Sequence, residues 1–172
     1  MAYLKPHDLA VALQLHMVPG LSYRALADAV GLSQGEVHNA VQRLASARLL
    51  RADTRAVARA ALLEFITSGV QYAFAANLGP EVRGVPTAHS APTMAASFPD
   101  ADPVVWPSTL GDARGASIEP LYEAAVSTPT RNPALYERLA MLDAIRTGRA
   151  RERQRARAYF KHMLSATGKE KA

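Results

Sequence analysis

Ser33, Gln34, Gly35, His38, Asn39, Gln42 and Arg43 are spaced so that, on a helix, they form one outward face. Hydroxyl, amide, imidazole and guanidinium groups hydrogen-bond base edges and phosphates, and glycine lets a backbone approach closely. Val37, Val41 and Leu44 lie between them at i, i+4 and i+7, a single apolar stripe for the inward side. The chemistry suggested is recognition of a nucleic-acid groove, not bond making or breaking.

The elements that must position this face lie between Ser22 and Leu50, SYRALADAVGLSQGEVHNAVQRLASARLL. Ser33 with Glu36 three residues on makes a Ser-x-x-Glu capping box that starts the second helix. Gly31 allows the chain to reverse before it, and Ala27, four residues earlier, permits close helix packing. The stretch reads as a helix-turn-helix. An earlier helix starts at Pro6 and runs to about Met17, with Leu9, Leu13 and His16 or Met17 inward, and Pro19-Gly20 ends it. His7 is expected to be exposed and Asp8 to complement that helix's dipole.

After Leu50, where the winged-helix proteins that this stretch resembles carry a β-hairpin wing, Arg51-Ala52-Asp53-Thr54-Arg55 instead runs straight into helix formers from Ala56 to Ile66. Asp53 or Thr54 is the expected N-cap. The wing is therefore read as short or missing. Arg48, Arg51 and Arg55 supply phosphate contacts in its place.

Leu26-Ala27, Gly31-Leu32-Ser33, Val37, Leu44 and Leu49-Leu50 match a recurring pattern of bacterial winged-helix proteins. Over residues 5–55 the chain resembles the MarR-type and related winged helix-turn-helix regulators. That resemblance implies a DNA-facing set of Ser33, Gln34, Gly35, His38, Asn39, Gln42 and Arg43. It also implies homodimers whose outer helices pair.

Composition is consistent with this. The chain of 172 residues has a net charge of +5 and no cysteine, which excludes disulfides, thiolate metal sites and cysteine nucleophiles. The charge is uneven: +3 over residues 1–60, −5 over 61–145 and +7 over 146–172. Basic ends suit a polyanion, because each neutralised phosphate releases counterions. No apolar run is long enough to span a bilayer. The opening MAYLKPHDLA lacks the charged-then-apolar order of a secretion signal, so a cytoplasmic location is expected.

The remainder is harder to read. Leu62, Leu63, Phe65 and Ile66 give a fourth helix a broad apolar face, and Val70–Phe74 alternates like a short strand. Eight prolines between Pro80 and Pro129 oppose long helices. Residues 83–92 read as an extended loop. Val104–Trp106 and Ala116–Ile118 read as a hairpin around Leu110-Gly111-Asp112, with Trp106 as a core or interface anchor. His89-Ser90 with Asp100 or Asp102 invites a nucleophilic triad, but no Gly-x-Ser-x-Gly elbow accompanies it. The five histidines share no metal-ligand spacing, and no glycine-rich phosphate loop is present. No catalytic residue, metal or cofactor is expected.

Asn132 and Pro133 start a last helix with Leu135, Leu139, Leu142 and Ile145 inward. Arg146, Arg149, Arg153 and Arg157 would share a face of it, and the tail after Ala166 is expected to fray. Dimerisation is the favoured use of this helix, with phosphate contacts by its arginines second.

The expected fold is mainly α: an N-terminal winged helix-turn-helix with reduced wing (1–77), a proline-rich irregular or β-hairpin middle (78–131) and a long C-terminal arginine-rich helix (132–172). The expected function is sequence-specific binding of double-stranded DNA by a homodimeric transcriptional regulator. The alternative is an antitoxin-like or adaptor protein that holds a partner protein through residues 78–172.

Overall fold

The computed structural model describes residues 3–165, and the expected frayed tail lies outside them. The fold is mainly helical, with a small three-stranded sheet in the middle and a helical C-terminal segment. Three helices open it: α1 (Asp8–Met17), α2 (Tyr23–Val30) and α3 (Gln34–Ser46). Every residue of α1 from Asp8 to Leu15 is buried, well beyond the expected stripe. The cause is packing on several sides: α2 and α3 cover part of α1, and a C-terminal helix covers another part.

Gly31 ends α2 in the left-handed region at φ 77°, and the N–H groups of Gly31 and Leu32 both donate to the Ala27 carbonyl. Glycine adopts that conformation at no steric cost. Ser33 then caps α3 with the expected reciprocal box: the Glu36 N–H donates to Ser33 Oγ, and the Ser33 N–H donates to Glu36 Oε2 at 2.9 Å. Val37, Val41 and Leu44 are buried as the pattern required.

A reduced wing follows. A single antiparallel bridge joins Leu50 to Val57, flanked by bonds from Arg51 N–H to the Ala56 carbonyl and from Ala58 N–H to the Leu49 carbonyl. Asp53 and Thr54 form the tip of this turn and do not cap a helix. The next helix, α4, accordingly starts later than expected, at Arg59 (Arg59–Glu64). It continues through a π-helical stretch (Phe65–Gly69) into α5 (Val70–Ala73). Val70–Ala73 is therefore helical and not a strand, with Phe74 as its C-cap: Val70 is buried while Tyr72 and Ala73 are exposed, a helical and not an alternating pattern.

The proline-rich middle is more ordered than an extended loop. Strand β1 (Glu81–Pro86) leads into a 3-10 turn (Ala88–Ser90) and α6 (Pro92–Ala95), which Pro92 opens from its first turn. Strands β2 (Val104–Pro107) and β3 (Ala113–Ser117) both pair antiparallel with β1, at Val85–Trp106 and Val82–Gly115 for example. They pair with each other in parallel, Val104 opposite Ala116, which closes the three strands on themselves. The expected β2–β3 hairpin is thus wrong in direction. β1 takes the antiparallel partner's place, and residues 108–112 form a crossover. Gly84 and Gly111 make this closure possible, because a Cβ on either would strike the backbone of a neighbouring strand or loop.

A 3-10 segment (Glu123–Ser127), α7 (Thr128–Arg131), α8 (Pro133–Thr147) and α9 (Ala150–Ser165) complete the chain. The helical C-terminal segment bends at Gly148, whose backbone is extended (ψ 156°), so α9 packs back on α8 and α4. Asp143 of α8 is fully buried and ties the middle of the chain to the end. It accepts from Thr87 Oγ1 at 2.7 Å, Trp106 Nε1 at 2.6 Å and Arg146 Nη1 at 2.7 Å. Trp106, 1% exposed, is a core anchor. Three further bonds fasten the N-terminal helices to this body: Tyr122 hydroxyl donates to the Val30 carbonyl, and Asn132 Nδ2 to Gln14 Oε1 and the Ala29 carbonyl.

Candidate nucleic-acid interface

Helix α3 carries the candidate surface. Ser33, Gln34, Gly35, His38, Asn39 and Gln42 are all exposed on it, on the side away from Val37, Val41 and Leu44. The capping hydrogen bonds from Ser33 hold the Glu36 carboxyl below the usual carboxylate range, so it stays charged beside the exposed turn.

Arg43 does not join this face, although its spacing placed it there. Its guanidinium reaches back under α3 to α1, with Nε 2.8 Å from Asp8 Oδ2 and Nη2 2.6 Å from Asp8 Oδ1. The Arg43 side chain keeps 11% exposure and that of Asp8 1%. The reason is electrostatic: a buried carboxylate at the start of α1 needs a cation, and the flat fork of arginine fits it in two-point contact. Asp8 also accepts the Lys5 N–H at 2.9 Å, so it caps the turn before α1 while it pairs. His7, expected to be exposed, packs beside this pair with Nε2 3.1 Å from Arg43 Nη2. Burial lowers the pKa of His7, against the opposing pull of Asp8.

The wing arginines divide. Arg48, in the left-handed region at φ 61° just past α3, and Arg51 are exposed. Arg55 is turned inward: Nη1 donates to the Leu21 carbonyl at 3.0 Å, and its guanidinium lies 4.9 Å from the centre of the Tyr23 ring. The Tyr23 ring also lies 5.2 Å from that of His38. Tyr23 thus links the wing turn to α3. Sequence reasoning passed over Tyr23 and its exposed neighbour Arg24, and their position in the first turn after a serine N-cap was the available signal.

The C-terminal arginines are not one face. Arg146 donates to the Phe74 and Glu119 carbonyls and to Asp143, while Arg157 donates to the Thr67 carbonyl at 3.0 Å. The bend at Gly148 breaks the helical register that would have aligned them. Arg149, Arg151 and Arg155 are exposed.

The residues of the weighed triad take separate partners. His89 Nε2 lies 2.7 Å from the Asp102 main-chain oxygen, and Ser90 Oγ accepts the Val104 N–H at 2.8 Å. Neither contact links histidine to serine or to a carboxylate of that set.

With this geometry in place, comparison with known proteins gives one finding. A family model described as winged helix-turn-helix DNA-binding matches residues 19–51, from the turn before α2 to the start of the wing. No curated protein and no solved structure matches the chain. The segment that carries the exposed polar face is therefore similar to winged helix-turn-helix domains of DNA-binding type. Among the described residues, no helix is long and apolar enough to cross a membrane.

Proposed function

We propose that this chain is a sequence-specific DNA-binding transcriptional regulator acting as a cytoplasmic homodimer, with α3 in the major groove. The observation that supports it best is the match of a DNA-binding winged helix-turn-helix to residues 19–51, where the N-cap Ser33 and, on α3, Gln34, Gly35, His38, Asn39 and Gln42 are exposed. Asn39 and Gln42 carry amides suited to the adenine edge, and Ser33, Gln34 and His38 add further hydrogen-bonding groups. Gly35 leaves room for the phosphate backbone. Arg48 and Arg51 beside the reduced wing, and Arg24 at the start of α2, supply phosphate contacts that fix orientation without reading sequence.

The resemblance of residues 5–55 to MarR-type regulators supports the dimer. Two copies would set their α3 helices about 34 Å apart, one turn of DNA, on an inverted repeat. Regulation is then steric, by occupying or exposing a polymerase site. Selection of bound sequences from random DNA with the purified full chain tests this. An enriched inverted repeat with half-sites one turn apart is expected, and retention of random DNA without enrichment overturns the reading.

A further inference from the structure

His38 stands in the middle of the exposed face of α3, one turn after Gln34 and one turn before Gln42. Its ring has an aromatic neighbour from another helix. The ring of Tyr23, in the first turn of α2, lies 5.2 Å away at 53°, within the range of aromatic pairing. Tyr23 is half-buried and held in turn. The Ala25 N–H donates to Ser22 Oγ at 3.1 Å, a cap that fixes the backbone where α2 begins. The Arg55 guanidinium lies over the Tyr23 ring, 4.9 Å from its centre, a cation–π distance. Arg55 is pinned as well, because its Nη1 donates to the Leu21 carbonyl at 3.0 Å. Its backbone sits in the left-handed region at φ 56°, which a non-glycine residue keeps only where its surroundings over-determine it. Arg55, Tyr23 and His38 thus form a clasp from the wing turn to the outer face of α3.

Such a clasp has a consequence for reading DNA. A side chain that contacts a base must give up rotamer freedom, and that loss weakens the contact. A ring already held by a neighbour has given up much of it before DNA arrives. Only the base pair that the ring reads feels the difference, since random DNA offers no matching contact.

We propose that Tyr23 is a positioning residue for sequence reading: it holds the His38 imidazole in the orientation in which it meets a base edge. The proposal rests on the DNA-binding reading of α3. The full chain is assayed on its selected site, on every single base-pair variant of that site and on random DNA. His38→Ala should flatten the preference at one base pair. Tyr23→Leu should lower the preference at the same pair by about two- to tenfold, with little change on random DNA. Tyr23→Phe, which keeps the ring, should match the wild type. In a His38→Ala background, Tyr23→Leu should cost that pair nothing further. In the DNA-free protein, NMR should show the His38 ring protons losing the ring-current shift of Tyr23 in Tyr23→Leu and keeping it in Tyr23→Phe.

Full preference in a folded Tyr23→Leu variant, or additive losses in the double variant, overturns the proposal. So does an equal loss on selected and random DNA, which is what a purely structural role would give. Tyr23→Phe as damaging as Tyr23→Leu also overturns it, by making the hydroxyl itself the DNA contact. If the wild type prefers no sequence, the DNA reading falls and this proposal with it. If the wild type prefers its site and Tyr23→Leu does so equally, only the positioning role falls. Tyr23→Gln, likewise ringless, takes the place of Tyr23→Leu if that variant misfolds.

Discussion

Arg43 of α3 and Asp8 of α1 form a two-point ion pair beneath the exposed face of α3, at 2.6 and 2.8 Å. The pair ties α3, the helix that carries Asn39 and Gln42, to the start of α1. Breaking a buried pair by removing one partner leaves the other charge uncompensated, at a cost of about 3–5 kcal/mol. Arg43→Ala should therefore lower the urea midpoint strongly, and Asp8→Ala comparably. An Arg43→Ala variant with unchanged stability and a selective loss of DNA affinity would return Arg43 to the DNA-facing set.

If Arg48 and Arg51, both exposed at the reduced wing, contact phosphates as proposed, they set the salt dependence of binding. Arg48→Gln and Arg51→Gln should each reduce the slope of log affinity against log salt concentration by about one, with similar losses on all DNA sequences. Arg55→Gln should act differently, because it removes the contacts to the Leu21 carbonyl and the Tyr23 ring. It should lower stability with less effect on the slope. Titrations at several salt concentrations separate the two outcomes.

How far the sequence led is clearest around α3. The capping box, the Gly31 reversal, the inward stripe and the reduced wing were all legible, because each follows from local rules of capping, backbone freedom and periodicity. The inward turn of Arg43 was not, since it depends on a carboxylate 35 positions earlier that only the tertiary fold brings near. The parallel pairing of β2 with β3 was hidden for the same reason: strand patterns reveal no partners, and β1 was hidden in a segment read as loop. Gly148 was visible, but the helical periodicity on both sides of it suggested a continuous helix. Of the candidate site, the exposed polar face of α3 was readable. Its support by Tyr23, Arg55 and Asp8 was not.

Acidification should destabilise the fold. Burial lowers the pKa of both His7 and His16 from the usual value of about 6.5, with nearby arginines acting in the same direction. Between the lowered folded values and 6.5 the unfolded chain binds more protons than the folded one, so stability rises with pH there and falls as pH drops below 6.5. Urea midpoints taken from pH 7.5 to 5.5 should decline, and His7→Gln with His16→Gln should flatten the decline. An unchanged profile in the double variant contradicts the assignment.

Asp143 is the joint between the middle strands and the C-terminal helices. Asp143→Ala leaves Thr87 and Trp106 without their acceptor and takes the carboxylate from Arg146, and should cost about 3–5 kcal/mol. Trp106, the only tryptophan, is itself a ligand of that carboxylate, so its fluorescence reports the loss directly. A variant with wild-type stability and an unshifted emission would show that the network is not required.

The outward face of α3 is the centre of the account, and Asn39→Ala with Gln42→Ala tests it most directly. Each amide matched to a base edge is worth about 1–3 kcal/mol of discrimination, while exposed side chains contribute within about 0.5 kcal/mol to stability. Affinity of the double variant for the selected DNA site, measured beside its affinity for random DNA, decides the matter. The account predicts at least a tenfold loss on the selected site, little change on random DNA and an unaltered urea midpoint. Unchanged affinity for the selected site in a folded double variant would contradict it.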